Sequence, residues 1–386
     1  MHPFKGKRVL IVLHADGIGG AENQSLLYGS YLMEKHACKI TVWNFLNGSP
    51  DLKSRVADNG FSYKEIFYPG SKNGLKQKIK LTLLRIKLII KNPDIILPYT
   101  IVPNVFMNIV SAKLNDKVIT TWNQRDEGII DFEYDKKLLE NSLANSRLII
   151  SNSAGGIDFL DQLGADRSRC HLVPNGIPEK FFNDPERSPV ASRHDRYDHV
   201  CCMIANLHSN KDHHTLIKAW KYVTEHFSGK EENCILILAG GMNKTTSKIR
   251  ELISEHSLQD SVRLDGFVRD IPQLIRNVDI VIHCAPSEGT SNSILEAMAG
   301  GKALVATNIQ SIANTVHESN LEFLYNNGDT KELSVKIIRL LESPDIAAKI
   351  GADNYHKARI AYSLNSYFTS MDTVISEASR KLQPTG

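Results

Sequence analysis

No run of apolar residues in this 386-residue chain approaches the roughly 18 consecutive positions that a membrane-spanning helix needs. The one N-terminal apolar run, VLIVL after Lys7-Arg8, is only about five residues long, shorter than a secretory-signal core, and leads into a glycine turn. It reads as a first strand. Net charge is scarce too: +3 overall, which argues against a dedicated nucleic-acid binder with its strongly basic face. The six cysteines form no C-x-x-C pair and no zinc-like spacing. Four of them sit in or beside apolar runs, where a free thiol acts as a small hydrophobe, so a reduced, cytoplasmic chain without a metal is expected. A dinucleotide fingerprint is also missing. Gly17-x-Gly19 follows the first apolar run, but Glu22 holds the place of the third glycine, where a carboxylate would meet a pyrophosphate.

What is present is globular material, 42% hydrophobic and 23% charged, in a length that suits two domains. Short apolar runs alternate with helical patterns. Strands are expected at 7–13, 39–45, 94–98, 117–121, 147–151 and 171–173, then at 199–205, 234–239, 261–265, 279–284, 303–307 and 321–325. Continuous rather than alternating runs suit parallel strands covered on both faces. The expected fold is α/β, with two doubly wound, Rossmann-like domains facing a central cleft. Boundaries are expected at 1–182, a linker at 183–198 carrying Pro185 and Pro189, and 199–362, with a C-terminal helix from about 363 to 386 returning to the first domain. Phe181 and Phe182 are expected beside that crossing.

The segment SEGTSNSILEAMAGGKALVAT at 287–307 carries the most chemistry. A polar turn, Gly289, Thr290, Ser291 and Asn292, opens a buried-looking helix, so its backbone N–H groups and the helix dipole suit a phosphate. Glu288 stands before the turn and Glu296 inside the helix, ~12 Å apart if all were helical. A carboxylate that accepts from two vicinal hydroxyls suits a ribose or a hexose, so the pair fits both rings of a nucleotide sugar. Alone, such a pair is as well explained by ordinary helix glutamates. Set between strand, Gly/Ser/Asn turn, helix, Gly-Gly and strand, it is not.

EGTSNSILEAMAGGKALVAT resembles the signature of retaining glycosyltransferases of GT-B architecture, family GT4. The resemblance extends to Gly19-Gly20-Ala21-Glu22, Pro174-Asn175-Gly176-Ile177, ANLHSNKDHHTLIKAW at 205–220, LILAGG at 236–241 and VRLDGFVRDI at 262–271. It implies that Glu288 contacts the transferred sugar and Glu296 the ribose. Gly19 and Gly20 would let backbone approach the donor, and Val268 falls on the donor side. Lys211 would neutralise the leaving diphosphate; its usual arginine companion is replaced by Asn206. No histidine occurs between His36 and His171, so the usual acceptor-side imidazole is missing, and Asn123 or Arg125 takes that place. Arg125 would also be a candidate second cation. Trp122 reads as packing, and His213 and His214 as loop or helix-surface residues. Glu22, at the third helical position after Gly19, reads as a helix cap.

The resemblance implies a hexosyl transfer with retention, from a UDP- or GDP-sugar used as substrate, with no metal or other cofactor. Two further readings keep the fold: a sugar-nucleotide epimerase, or a non-catalytic nucleotide-sugar-binding subunit. Residues 71–91, SKNGLKQKIKLTLLRIKLIIK, contain no acid, and Leu75, Ile79, Leu83, Ile86 and Ile90 recur at helical spacing. This is either a helix packed on its sheet with a basic outer face or a helix lying on anionic lipid. A saccharide or lipid-linked acceptor at the cytoplasmic membrane face follows, in the synthesis of a cell-surface polysaccharide or glycolipid.

Overall fold

The structure, a computed structural model, describes residues 4–114, 118–125, 136–182, 197–208, 210–243 and 245–381. Most of the expected linker therefore lies outside the described residues, as does the end of the expected C-terminal helix. The chain divides into two compact units, Met1–Gly176 with Tyr367–Gly386, and Ile177–Ser366.

The first unit holds a seven-stranded sheet in the order β3-β2-β1-β4-β5-β6-β7. Its strands are β1 (Arg8–Leu13), β2 (Lys39–Asn44), β3 (Ser62–Glu65), β4 (Ile95–Pro98), β5 (Ile119–Gln124), β6 (Leu148–Ser151) and β7 (Cys170–Leu172). The second holds β8 (His199–Ile204), β9 (Cys234–Ala239), β10 (Val262–Gly266), β11 (Ile280–His283), β12 (Ala303–Thr307) and β13 (Leu324–Tyr325), in the order β10-β9-β8-β11-β12-β13. All the pairings are parallel.

Continuous apolar runs arise because alternate residues serve different cores. In β9, Leu236 and Leu238 join one cluster with Trp220, Ile282 and Ile337. Ile235 and Ile237 join another with Leu295, Met298 and Leu304. Both strand orders reverse direction beside their first strand, between β1 and β4 and between β8 and β11. Loops leaving the carboxyl ends there diverge to opposite faces, which opens the crevice where ligands bind in such sheets.

Three elements differ from expectation. β3, SYKE, lacks an apolar run because it is an edge strand with mostly exposed side chains. β5 runs on through Trp122, Asn123 and Gln124, all buried, its polar end being satisfied internally. The run at 321–325 is strand only at Leu324–Tyr325, since Glu318–Phe323 forms a 3-10 turn. The division between units falls at Gly176, six residues before the expected 182. Residues 177–182 go with the second unit: Ile177 N–H donates to Tyr362 O at 2.7 Å, and Phe181 is buried in the second unit's core.

The basic helix at Gly74–Lys91 buries only Leu84 and Leu88. Its Leu75, Ile79, Leu83, Ile86 and Ile90 are exposed, Leu75 by 70% and Ile90 by 78%. Of the two readings of this segment, packing of those five side chains on the sheet does not hold; the helix is anchored by the leucines between them. No helix among the described residues is long and apolar enough to cross a membrane.

From Tyr367 on, the helix Leu364–Lys381 belongs to the first unit, where one carboxylate ties it to the helix Gly20–His36. Asp372 accepts from Tyr28 Oη at 3.0 Å, Tyr31 Oη at 2.7 Å and His36 Nε2 at 2.9 Å. Phe368 stacks on Tyr31 at 4.2 Å. Asp372→Ala, which strands the fully buried Tyr28 hydroxyl, should cost about 2–4 kcal/mol in a urea titration. Asp372→Asn, which keeps an acceptor, should lose less. An unchanged midpoint for the alanine variant would show that the last helix is held by its apolar contacts alone.

Candidate active site

Two loops meet at the β8/β11 reversal. The loop after β8 carries Asn206 and Lys211 and ends at Asp212, whose Oδ1 caps the helix His213–Ser228 by accepting from Thr215 N–H at 3.0 Å. Asp212 N–H donates to Cys284 O at 3.0 Å, which pins this loop to the end of β11. The His213 ring is buried, not on the surface as expected, with Nδ1 at 3.1 Å from Lys211 O; His214 is exposed.

The loop after β11 is held from below. Ala285 N–H donates to Thr307 Oγ1 at 3.1 Å, and Ser311 Oγ donates to Glu288 O at 2.6 Å. With both backbones fixed, Lys211 Nζ and Glu288 Oε2 form an ion pair. Their side chains are 15% and 20% exposed, so water screens the pair only in part. His283, the last residue of β11, lies buried behind it, with Nε2 3.5 Å from Glu288 Oε2. Burial alone would raise the Glu288 carboxyl, but His283 and Lys211 outweigh it and bring it to about 2. Burial lowers the His283 imidazole, against the pull of Glu288, which keeps the ring neutral near pH 7.

Gly289, Thr290 and Ser291 are buried and lead into the helix Asn292–Ala299. Ser291 is its N-cap residue, yet makes no side-chain cap; its hydroxyl pairs with Ser293 Oγ at 3.1 Å. This helix start follows directly on Glu288, the partner of Lys211. Glu296, in the second helical turn, is partly exposed by area but enclosed by protein atoms. Burial raises its carboxyl to about 8, opposed by the charge of Lys180.

Asn206 is exposed, and its Oδ1 accepts from Gly241 N–H at 2.8 Å. The neighbouring Gly240 is required by space: a Cβ there would stand 2.0 Å from Ala205 O. Val268 lies in the loop after β10 and packs partly on the core. Gly19 and Gly20 belong to the first unit, where Gly19 N–H donates to Glu22 Oε2 at 2.9 Å, so Glu22 caps its own helix.

The two acceptor-side candidates, also in the first unit, are tied up internally. Asn123 is fully buried; Nδ2 donates to Pro98 O at 2.8 Å and Thr121 Oγ1 at 2.7 Å, and Oδ1 accepts from Arg125 at 3.4 Å. Arg125 lies 5.0 Å over the Tyr99 ring and donates to Asn175 Oδ1 at 3.1 Å. Trp122 is buried, its Nε1 donating to Gln124 Oε1 at 3.0 Å. Sequence reasoning missed His283, although a histidine ending the apolar run VDIVIH was its signal. It also missed Thr100, which follows β4 with φ 68° and ψ 169°, a strained conformation for a β-branched residue, at the first unit's own strand reversal. Among the described residues no group of three or more His, Cys, Asp or Glu is arranged to hold a metal ion.

Residues 185–357 match the family described as glycosyl transferases, group 1. The chain is 22% identical over 219 residues to a poly(ribitol-phosphate) alpha-N-acetylglucosaminyltransferase of Staphylococcus aureus, covering 56% of this chain and 41% of that one. It is 24% identical over 165 residues to an N-acetylgalactosamine-N,N'-diacetylbacillosaminyl-diphospho-undecaprenol 4-alpha-N-acetylgalactosaminyltransferase of Campylobacter jejuni, covering 42% of each. The chain thus spans about two fifths of each of these relatives. The structure of Anabaena HepE in complex with UDP-glucose superposes with a TM-score of 0.78 at 19% identity, covering 96% of this chain and 100% of that one. That likeness shows the fold, which is GT-B. Within the matched residues, Lys211 meets Glu288, and the 289–292 turn and Glu296 follow on the next helix; Asn206 lies in the loop after β8, and Val268 stands two strands away from β8.

The ion pair gives a pH signature. The Glu288 carboxyl titrates near 2 when folded, against an ordinary value of 4.5. Its stabilising contribution is therefore complete above that ordinary value and is lost as pH falls toward 2. The difference in stability between wild type and Glu288→Gln should be about 1–3 kcal/mol at pH 6 and shrink by pH 3. Thermal melts at both pH values check this; a difference that grows on acidification contradicts it.

Proposed function

We propose that the protein is a retaining, metal-independent glycosyltransferase that moves a hexose-type sugar from a UDP- or GDP-sugar to a saccharide or lipid-linked saccharide. Its product belongs to a cell-surface polysaccharide or glycolipid. The observation that carries this reading is the Lys211–Glu288 pair at the β8/β11 reversal, beside a helix mouth whose N-cap side chain makes no cap. The names of the Staphylococcus and Campylobacter relatives, transferases acting on a polyol phosphate polymer and on an undecaprenol-linked saccharide, support the product class.

The donor's diphosphate takes the amides of Gly289, Thr290, Ser291 and Asn292, with Lys211 turning to it from Glu288. Glu296 accepts from the ribose hydroxyls and Glu288 from those of the transferred sugar. The bond from the anomeric carbon to phosphate oxygen breaks as the bond to the acceptor oxygen forms on the same face. The acceptor's proton passes to the leaving phosphate oxygen, so no protein base is needed, and Lys211 and the helix dipole balance the charge. The first unit serves the acceptor, with Asn123 and Arg125 at the end of β5 where the usual imidazole would stand.

The exposed face of Gly74–Lys91 points to the setting. Leu75, Ile79, Leu83, Ile86 and Ile90 lie bare beside Lys72, Lys76, Lys78, Lys80, Arg85, Lys87 and Lys91. Apolar side chains ringed by cations match an anionic lipid surface, each basic residue near it adding ~1 kcal/mol. The protein accordingly works at the cytoplasmic face of a membrane.

A panel of nucleotide sugars tests the reaction: transfer or hydrolysis is expected with one of them, whereas an isomerised donor means an epimerase and binding without turnover a non-catalytic subunit. Lys211→Ala should lower kcat by about 100-fold with a smaller effect on donor binding. Because ribose recognition needs the ionised Glu296, donor affinity should rise from pH 6 to pH 9, and Glu296→Gln should flatten that rise. Full activity in both variants would remove them from the site. In flotation assays the chain should bind phosphatidylglycerol vesicles and not neutral ones, and Ile79→Ser with Ile90→Ser should release it; equal recovery with both vesicle types contradicts the membrane reading.

A further inference from the structure

The mechanism above leaves one charge unaccounted for. When Lys211 turns to the diphosphate, Glu288 loses its cation while still largely enclosed by protein. An uncompensated buried carboxylate is costly and would take up a proton, which would cost it the ability to accept from two sugar hydroxyls. The structure holds one further group in reach, the buried imidazole of His283.

His283 Nδ1 lies 3.3 Å from Ser293 Oγ, and Ser293 Oγ lies 3.1 Å from Ser291 Oγ. Two proton arrangements satisfy this chain, and the Glu288 carboxylate facing Nε2 selects between them: the reverse order would set a ring lone pair against it, so Ser291 donates to Ser293 and Ser293 donates to Nδ1. The ring is then the neutral tautomer with its proton on Nε2, facing Glu288 Oε2 across 3.5 Å. In the ligand-free state Glu288 leans on Lys211, and His283 Nε2 makes no full hydrogen bond. The charged and titratable groups around the ring are Glu288 and Lys211 on the two loops and His213 on the helix His213–Ser228, with Asp212 beside it.

We infer that His283 is a positioning residue that takes over Glu288 from Lys211, keeping the carboxylate ionised and oriented while the lysine is engaged with the donor's diphosphate. The inference rests on the reading of Lys211 and Glu288 given under the proposed function. It extends the site to a relay that begins at Ser291, the N-cap of the phosphate-facing helix, and ends at the sugar-facing carboxylate. Lys211 neutralises either Glu288 or the diphosphate at one time; His283 lets it leave the first for the second without loss of the carboxylate's charge.

Removing the lysine reproduces its departure without any donor. In full-length protein labelled with 13C-glutamate, the Glu288 carboxyl, assigned by comparison with Glu288→Gln, is titrated in Lys211→Ala. It should still titrate below the ordinary carboxylate value. In Lys211→Ala with His283→Leu it should rise by at least about one pH unit, and His283→Gln, which restores a donor near Nε2, should recover part of that shift. Should His283→Leu fail to fold, Lys211→Ala with Ser293→Ala decides, because it removes the partner that fixes the tautomer at a half-buried position; a smaller rise is expected. Identical titration of Glu288 with and without these changes overturns the inference. In single His283→Leu, the acid limb of kcat/KM with the accepted donor should move up in pH, and His283→Gln should restore it. If the carboxyl shifts as expected but no nucleotide sugar is bound or turned over, the relay stands and the transferase reading falls.

Discussion

A lysine and a glutamate, each on a loop fixed at its base, pair at the point where a parallel sheet reverses its strand order. The site proposed in the second unit is organised around that contact. Strands β8 and β11 are neighbours in space but far apart in sequence, so the reversal alone brings Lys211 to Glu288. The loops differ in how they are held. Asp212 fastens one to Cys284, and Thr307 and Ser311 fasten the other. Because the backbones are fixed, only the side chains have freedom to exchange partners when an anion arrives.

That division between fixed backbone and free side chains suits phosphate chemistry. A partly buried ion pair contributes modestly to stability, since desolvation offsets much of its attraction. It is therefore a poor reason by itself for both residues to be there. As a resting state for two groups that separate on binding, it has a clearer purpose. On the proposed function, Lys211 is localised by Glu288 until a diphosphate offers more charge, while Glu288 stays ionised, its carboxyl near 2, instead of drifting up as Glu296 does to about 8. The two glutamates differ because one faces a cation and an imidazole while the other faces mostly enclosing protein.

Much of this was legible in the residues. Val200, Cys202, Ile235 and Ile237 on one core and Met203, Leu236 and Leu238 on the other produce the unbroken apolar runs that announce a two-sided parallel sheet. The glycine-serine-asparagine turn between Glu288 and Glu296 announced the helix mouth. What stayed hidden depended on neighbours distant in sequence. SYKE forms a strand only because β2 offers it an edge. Asn123 and Gln124 read as loop, yet are buried because Asn104, Thr121, Pro98 and Trp122 satisfy them. The apolar positions of Gly74–Lys91 have helical spacing whether they face a sheet or water, so periodicity could not tell that Leu84 and Leu88 are the buried pair. His283 ends a strand and reads as one more core residue until Ser293 and Glu288 are seen at its two nitrogens.

The most direct test of the account is a crystal structure of the full chain with a bound nucleotide sugar. The account predicts the diphosphate against the amides of residues 289–292, Lys211 turned away from Glu288 onto phosphate oxygens, and the ribose on Glu296. A donor bound elsewhere, with the Lys211–Glu288 pair still closed, would contradict it.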